Sequence, residues 1–310
     1  MKIMVEILIA TYNGEKYIRE QIDSILNQTY KDIRILIRDD GSKDRTIDII
    51  KEYIEKNQDK IRLIEDDVKC GSSVSNFMQL TKSATADYIM YSDQDDFWLP
   101  EKVEKTLQAM IELEEKIGKD KPALSFARYM PVDLNLQPIQ EDISKTQLSR
   151  CETEFNKLLV QNCVNGCLMM VNKPLYLILG NYSKDILMHD WWAALIAGAM
   201  GGIFRIPDVL MLYRQHGDNV VGSVNVKSFK YRISKILDKN TKNMKFKYRD
   251  QARLFYQRYS SMMPEASRQI LKNFLKIYEE KSKFKRIKAL ISGGYLKSDT
   301  IRCIGQIWYI

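Results

Sequence analysis

Within the first hundred residues, short runs of β-branched apolar residues alternate with longer segments whose apolar positions recur every three or four residues. An open sheet covered by helices requires that rhythm. Residues 3–10 read as a first strand, and over residues 15–28 Ile18, Ile22, Ile25 and Leu26 fall on one helical face. Residues 33–38 read as a second strand. Asp40-Gly41-Ser42 then turns the chain into a helix with Ile47, Ile50 and Ile54 on one side. A strand at residues 61–65, a helix at 75–82 and a strand at 88–92 complete a βαβαβαβ series. Right-handed crossovers make a parallel, doubly wound α/β sheet its simplest topology.

Beyond Trp98-Leu99-Pro100 a helix carries Val103, Leu107, Met110 and Ile111 on its inner face. Strands are expected at residues 123–129, 166–171 and 209–213, and a buried helix at 190–200. This mixed α+β half completes one catalytic domain over residues 1–222, with residues 1–98 as its nucleotide-binding half and 99–222 as its acceptor half. From about residue 223 to 310 lysine, arginine and aromatics recur at helical intervals, as at Phe246, Arg249, Arg253 and Tyr256. That pattern reads as a separate, basic helical appendage.

Charge divides along the same line. Residues 225–310 hold 21 Lys and Arg against 6 Asp and Glu, leaving 27 against 34 in residues 1–224, within a net charge of +8. A basic segment on an acidic domain is suited to an anionic surface, although a merely solvated helical face gives the same composition. The five cysteines, Cys70, Cys151, Cys163, Cys167 and Cys303, are odd in number and lack zinc-knuckle spacing, so they read as reduced thiols of a cytoplasmic protein. No signal-peptide pattern is seen at the start of the sequence. The longest nearly uncharged stretch, residues 191–204, is interrupted by three glycines and is shorter than the ~20 residues that cross a bilayer.

In an open α/β sheet, ligands meet the residues just past the carboxyl ends of the strands. Ala10-Thr11-Tyr12-Asn13-Gly14 lacks both the dinucleotide glycine fingerprint and the phosphate-loop lysine, yet Thr11 and Tyr12 are suited to hydrogen-bonding and stacking on a base. Asp39-Asp40-Gly41-Ser42 offers Asp40 as an acceptor for a pyrimidine imide or a ribose hydroxyl; turn and cap chemistry explains the same residues equally well. The strongest signal is Ser92-Asp93-Gln94-Asp95-Asp96-Phe97-Trp98, where three carboxylates in four positions call for a compensating cation. Mg2+ or Mn2+ bridging carboxylates and diphosphate oxygens is the natural occupant. In Met188-His189-Asp190-Trp191-Trp192 the acid either caps a helix or serves as a general base in an aromatic, partly dry setting, with Trp191 and Trp192 on the acceptor side. Tyr213-Arg214-Gln215-His216-Gly217-Asp218-Asn219 supplies Arg214 for a departing diphosphate and His216 as a further metal ligand.

Taken in order, these segments resemble the inverting glycosyltransferases of family 2, over roughly residues 3–222. The most specific elements are Ala-Thr-Tyr-Asn-Gly, Asp-Asp-Gly-Ser and Asp-Gln-Asp-Asp-Phe-Trp-Leu-Pro-Glu-Lys. The resemblance implies a GT-A fold. It places Thr11, Tyr12 and Asp40 on the nucleotide, Asp93 and Asp95 by the ribose and the metal, and makes Asp190 the catalytic base. His189-Asp190 stands where the family often has Glu-Asp. The later motifs look like those of bacterial rhamnosyltransferases of cell-wall and capsular polysaccharide synthesis. They imply a dTDP-rhamnose donor, or another hexosyl donor such as a UDP-sugar. The implied acceptor is a polyprenyl-linked saccharide at the inner face of the cell membrane, met by an enzyme peripheral to that face. A homo-oligomer is compatible with this reading. Two rivals stay open: a nucleic-acid binder using the basic tail, disfavoured because the acidic cluster would face the same polyanion, and a nucleotidyltransferase, which would release diphosphate instead of a nucleoside diphosphate.

Overall fold

A computed structural model describes residues 3–139, 151–180, 186–216 and 239–310. The alternation of strand and helix is realised as β1 (Val5–Thr11), α1 (Ile18–Leu26), β2 (Ile33–Asp39), α2 (Thr46–Lys56), β3 (Ile61–Leu63), α3 (Ser73–Thr81) and β4 (Tyr88–Ser92). There follow β5 (Phe97–Trp98), α4 (Lys102–Ile117), β6 (Ala123–Val132), α5 (Phe155–Leu158), β7 (Met169–Asn172), α6 (Lys173–Leu179), α7 (His189–Met200) and β8 (Gly202–Arg214). Four helices close the chain: α8 (Lys239–Tyr259), α9 (Glu265–Ile277), α10 (Lys283–Ser292) and α11 (Thr300–Tyr309).

All eight strands form one sheet in the order β3-β2-β1-β4-β7-β6-β8-β5. The β3-β2-β1-β4 portion is parallel, as the sequence rhythm requires, and β7 joins it antiparallel to β4. The chain leaves β1 toward β2 on one side and returns through β4 on the other. That reversal opens a crevice at the strands' carboxyl ends. Register sets what faces it: Thr11 pairs with Asp39 and Ile9 with Ser92, so the segments after β1, β2 and β4 emerge together.

Strand alternation divides the core into two layers. Val5, Ile7, Ile9, Ile35 and Ile37 pack against α1, α2 and α4 on one face, while Leu8, Leu36, Ile89 and Tyr91 join α3 and α7 on the other. Strand β8 is longer than its predicted core of residues 209–213. Pro207 and Asp208 break its apolar pattern where the pairing with β6 shifts register around Arg128. The two-residue β5 is too short to leave a periodic trace.

Two expectations change. Cys151 and Cys163, read as free thiols, are joined as a disulfide, leaving Cys70, Cys167 and Cys303 free. Their separation of 12 residues hid the pairing, because the loop folds back on itself and brings their Cα atoms to 5.4 Å. The C-terminal helices, expected as a separate appendage, share the second core layer: Phe255, Tyr259, Phe274 and Leu290 belong to the same buried cluster as Phe155, Trp191 and Trp192. The expected join near residue 222 lies outside the described residues. Among those described, no helix is long and apolar enough to cross a membrane.

Candidate active site

The floor of the crevice is built by side chains that fix backbone. Thr11 Oγ1 donates to Asp39 Oδ1 at 2.8 Å, and Asp39 Oδ2 accepts the N–H groups of Gly41 and Ser42 at 2.9 and 2.7 Å. Gly41 has φ +89°, which only glycine adopts cheaply, so this tight turn needs it. Asp40 accepts the N–H groups of Cys70 and Gly71, each at 2.7 Å, and thereby holds the segment between β3 and α3 against the crevice. The fully buried Arg38 supports the same segment through Asp66 and through Asn76 at 2.8 Å. Tyr12 is 53% exposed, a ring open for stacking. Its backbone is clamped on both sides by Gln94, whose Oε1 accepts from Tyr12 N at 2.9 Å and whose Nε2 donates to Tyr12 O at 3.0 Å. Gly14 permits the clamp, because a Cβ there would meet Gln94 Oε1 at 2.4 Å.

The acidic segment after β4 is mostly withdrawn from water. Asp95 meets His216 with Oδ2 to Nε2 at 2.7 Å, and the imidazole stacks on Tyr17 with centroids 5.1 Å apart. Burial, then the charge of Asp95, raises the Asp93 carboxyl to about 7. Asp96 is buried with no hydrogen bond of ordinary geometry on either oxygen, and its proton affinity is pushed well up by burial and by Asp93. The Cys167 thiol and the buried Lys102 are its polar neighbours. Lys102 Nζ donates to Cys167 O at 2.5 Å and lies 3.6 Å from the Trp98 ring centre; burial lowers its ammonium to about 7.

Donor chemistry here fits a hard divalent cation. Ligand atoms of Asp93, Asp96 and Cys167 lie within 4.8 Å of one another, and Asp95 of the same segment is paired with His216 at 2.7 Å. Crowded carboxyls held toward their neutral forms are what a cation relieves; their oxygens suit Mg2+ or Mn2+, while the Cys167 sulfur is a soft donor.

Asp190 sits in the first turn of α7 and is 8% exposed. Asn162 Nδ2 donates to its Oδ1 at 3.1 Å, Gly166 N–H to its Oδ2 at 3.1 Å, and Trp191 N–H to Oδ1 at 2.5 Å. Burial raises its carboxyl to about 6 against the opposing pull of these donors, and its charge contributes to the raised Asp93. The N-cap position is Met188, so Asp190 lies within the first turn and does not cap the helix. His189, also in the motif, is buried between Phe77 and Tyr91, and burial alone lowers it to about 4. A Cβ on Gly166 would lie 2.6 Å from His189 Nε2, so glycine lets that N–H reach Asp190.

Three assignments are corrected. Trp191 donates to Leu158 O at 2.7 Å, and Trp192 packs on Phe255 with centroids 5.2 Å apart; both indoles are core residues instead of an acceptor surface. Their amphipathic character matched a sugar platform, but α8 covers them. Arg214 is 2% exposed and fully engaged, donating to Asp95 O at 3.1 Å, to Leu134 O and to Glu20. Through the Asp95 carbonyl it holds the acidic segment in place. Gly217, Asp218 and Asn219 lie outside the described residues. Gln94, Lys102, Asn162 and Gly166 were missed in the sequence. Only Gln94, inside the acidic motif, carried any local signal.

A parallel β3-β2-β1-β4 portion, a mixed continuation and an acidic segment at the switch point are the arrangement of the GT-A fold. Residues 6–123 match the model of "Glycosyl transferase family 2". A dTDP-rhamnosyl transferase, RfbG, of Shigella flexneri is 30% identical over 239 residues, covering 74% of this chain and 78% of that protein. The chain belongs to glycosyltransferase family 2. Among solved structures, S. aureus TarS 1-349 in complex with UDP-GlcNAc superposes with a TM-score of 0.58 at 14% identity, over 94% of this chain and 80% of that one. The mannosyltransferase PcManGT from Pyrobaculum calidifontis, in complex with GDP-Man and Mn2+, gives 0.54 at 16% identity, over 94% and 72%.

Proposed function

We propose that this glycosyltransferase transfers a sugar, L-rhamnose from dTDP-rhamnose, with inversion onto a hydroxyl of a lipid-linked saccharide during polysaccharide synthesis. The observation that carries the chemistry is the buried Asp190 carboxylate, held by three donors beside the acidic segment. The donor rests on the likeness to the rhamnosyl transferase. Thr11, Tyr12, Asp40 and Asp93 bind the nucleotide, and Asp95 and His216 would hold a divalent ion that would supply charge for the leaving diphosphate. Asp190 takes the acceptor's hydroxyl proton as that oxygen forms a bond to the anomeric carbon. The bond from that carbon to the diphosphate oxygen breaks on the opposite side, and a nucleoside diphosphate departs. Residues 1–98 serve as the nucleotide half, 99–222 as the acceptor half, and 223–310 as a basic region that brings the enzyme to an anionic membrane face on the cytoplasmic side.

The test is thermal stability with dTDP-, UDP- and GDP-sugars, each with Mn2+ or chelator, followed by product analysis. A ligand at 100 times its Kd should stabilise by ~2.7 kcal/mol. Mn2+-dependent stabilisation by dTDP-rhamnose and rhamnosyl product are expected. Response to a UDP-sugar alone would replace the donor, and response to none would overturn the nucleotide site.

A further inference from the structure

Helices α10 and α11 leave large apolar side chains in water that the catalytic reading does not use. Phe284 is 77% exposed, Ile291 54%, Ile304 56% and Trp308 64%. On α10, Phe284, Lys288 and Ile291 are spaced i, i+4, i+7 and so share one face, while Leu290 turns inward to the core. On α11, Ile304 and Trp308 are one turn apart. The two helices meet where Lys283 Nζ donates to Trp308 O at 2.8 Å, with the ammonium 5.8 Å from the indole centre. Exposed lysines border this face at positions 281, 283, 285 and 288, and residues 281–310 contain seven Lys and Arg against one acid, Asp299.

We infer that Phe284, Ile291, Ile304 and Trp308 form a surface that inserts into the headgroup region of an anionic bilayer, with the surrounding lysines on lipid phosphates. Charge selects this occupant. A protein groove buries apolar anchors without demanding such a one-sided cationic border, and a second copy of this chain would set like charges against each other. An amphipathic face with a lysine-rich border and aromatic anchors is the arrangement that lies in a membrane interface. Lysine stems extend past the apolar side chains and carry their ammonium groups to the phosphates. The inference specifies the membrane partner in the reading above, and its test needs no catalysis.

The experiment uses the full chain with phosphatidylglycerol and phosphatidylcholine vesicles, some containing brominated acyl chains. Of the four tryptophans, Trp98, Trp191 and Trp192 are 1%, 7% and 1% exposed, so lipid quenching of fluorescence reports Trp308. Binding to the anionic vesicles, weakened by salt, and quenching lost in Trp308→Phe are expected. Phe284→Ser and Ile291→Ser should each weaken binding about tenfold or more at unchanged Tm. Absent quenching, or binding indifferent to both serine variants, would overturn the surface. So would concentration-dependent dimerisation that shields Trp308 without lipid, which would identify a second copy as the occupant. Transfer to a soluble acceptor should be unaffected in these variants; absence of transfer by the wild type would count against the enzymatic reading and leave the surface standing.

Discussion

Asp190 combines two demands that pull its proton affinity in opposite directions. Removal from water raises the carboxyl to about 6, while Asn162, Gly166 and Trp191 hold the ionised form. A general base works when deprotonated, so turnover at saturating metal should rise with pH through about 6 and level off above it. Asp190→Asn should lower kcat by about 10²–10⁴-fold and abolish that limb while leaving nucleotide binding nearly intact. Wild-type turnover in this variant would remove the assignment. Asn162 acts through Asp190. Asn162→Ala deletes a donor to the anion, so the acid limb of the kcat profile should move up by about one pH unit. A uniform drop in rate with the limb unmoved would mean that Asn162 merely supports its loop. The Asn162 contact could not be foreseen, because a 28-residue separation leaves no local pattern.

At the scale of elements, what was legible is what periodicity records. Ile7 and Ile9 against Leu8, or Ile18, Ile22 and Ile25 on α1, declare their faces because each side of the sheet is buried differently. The motifs past β1, β2 and β4 were legible because a parallel sheet delivers them to one edge whatever their neighbours do. Trp191 and Trp192 were misread for a related reason: an apolar helix announces burial but not what buries it. Tertiary contact from a segment some sixty residues on decides that, with Trp192 Nε1 donating to Tyr259 Oη at 3.3 Å and Phe255 against its ring. Trp192→Ala should therefore cost ~3–5 kcal/mol in chemical denaturation, as an unfilled core site does, with substrate KM little changed in what remains folded. A selective loss of acceptor binding at unchanged stability would restore the acceptor-side role.

Over the whole molecule, charge and packing give different answers about where the chain divides. Charge separates an acidic portion from a basic one near residue 224. Packing joins them, since α7 lies under α8 and α9, and Trp191, Trp192 and Phe155 are buried together with Phe255, Phe274 and Tyr295. Basic residues on the outer faces of α8–α11 are compatible with an apolar inner face, so composition alone suggested a separate helical appendage. A chain ending at residue 238 would open this layer and expose an apolar patch beyond the few hundred Å2 that soluble monomers carry. That truncation should lower soluble yield, bind an apolar dye and lose a cooperative melt, together with all transfer activity. A sharp melt with retained nucleotide-dependent stabilisation would instead make residues 1–222 a self-sufficient domain, and the shared core an interface between two folded units. The shared buried cluster argues for the first outcome: the helices that carry the basic residues also complete the core that holds Trp191 and Trp192 next to Asp190, so the proposed attachment and the integrity of the site would depend on the same packing.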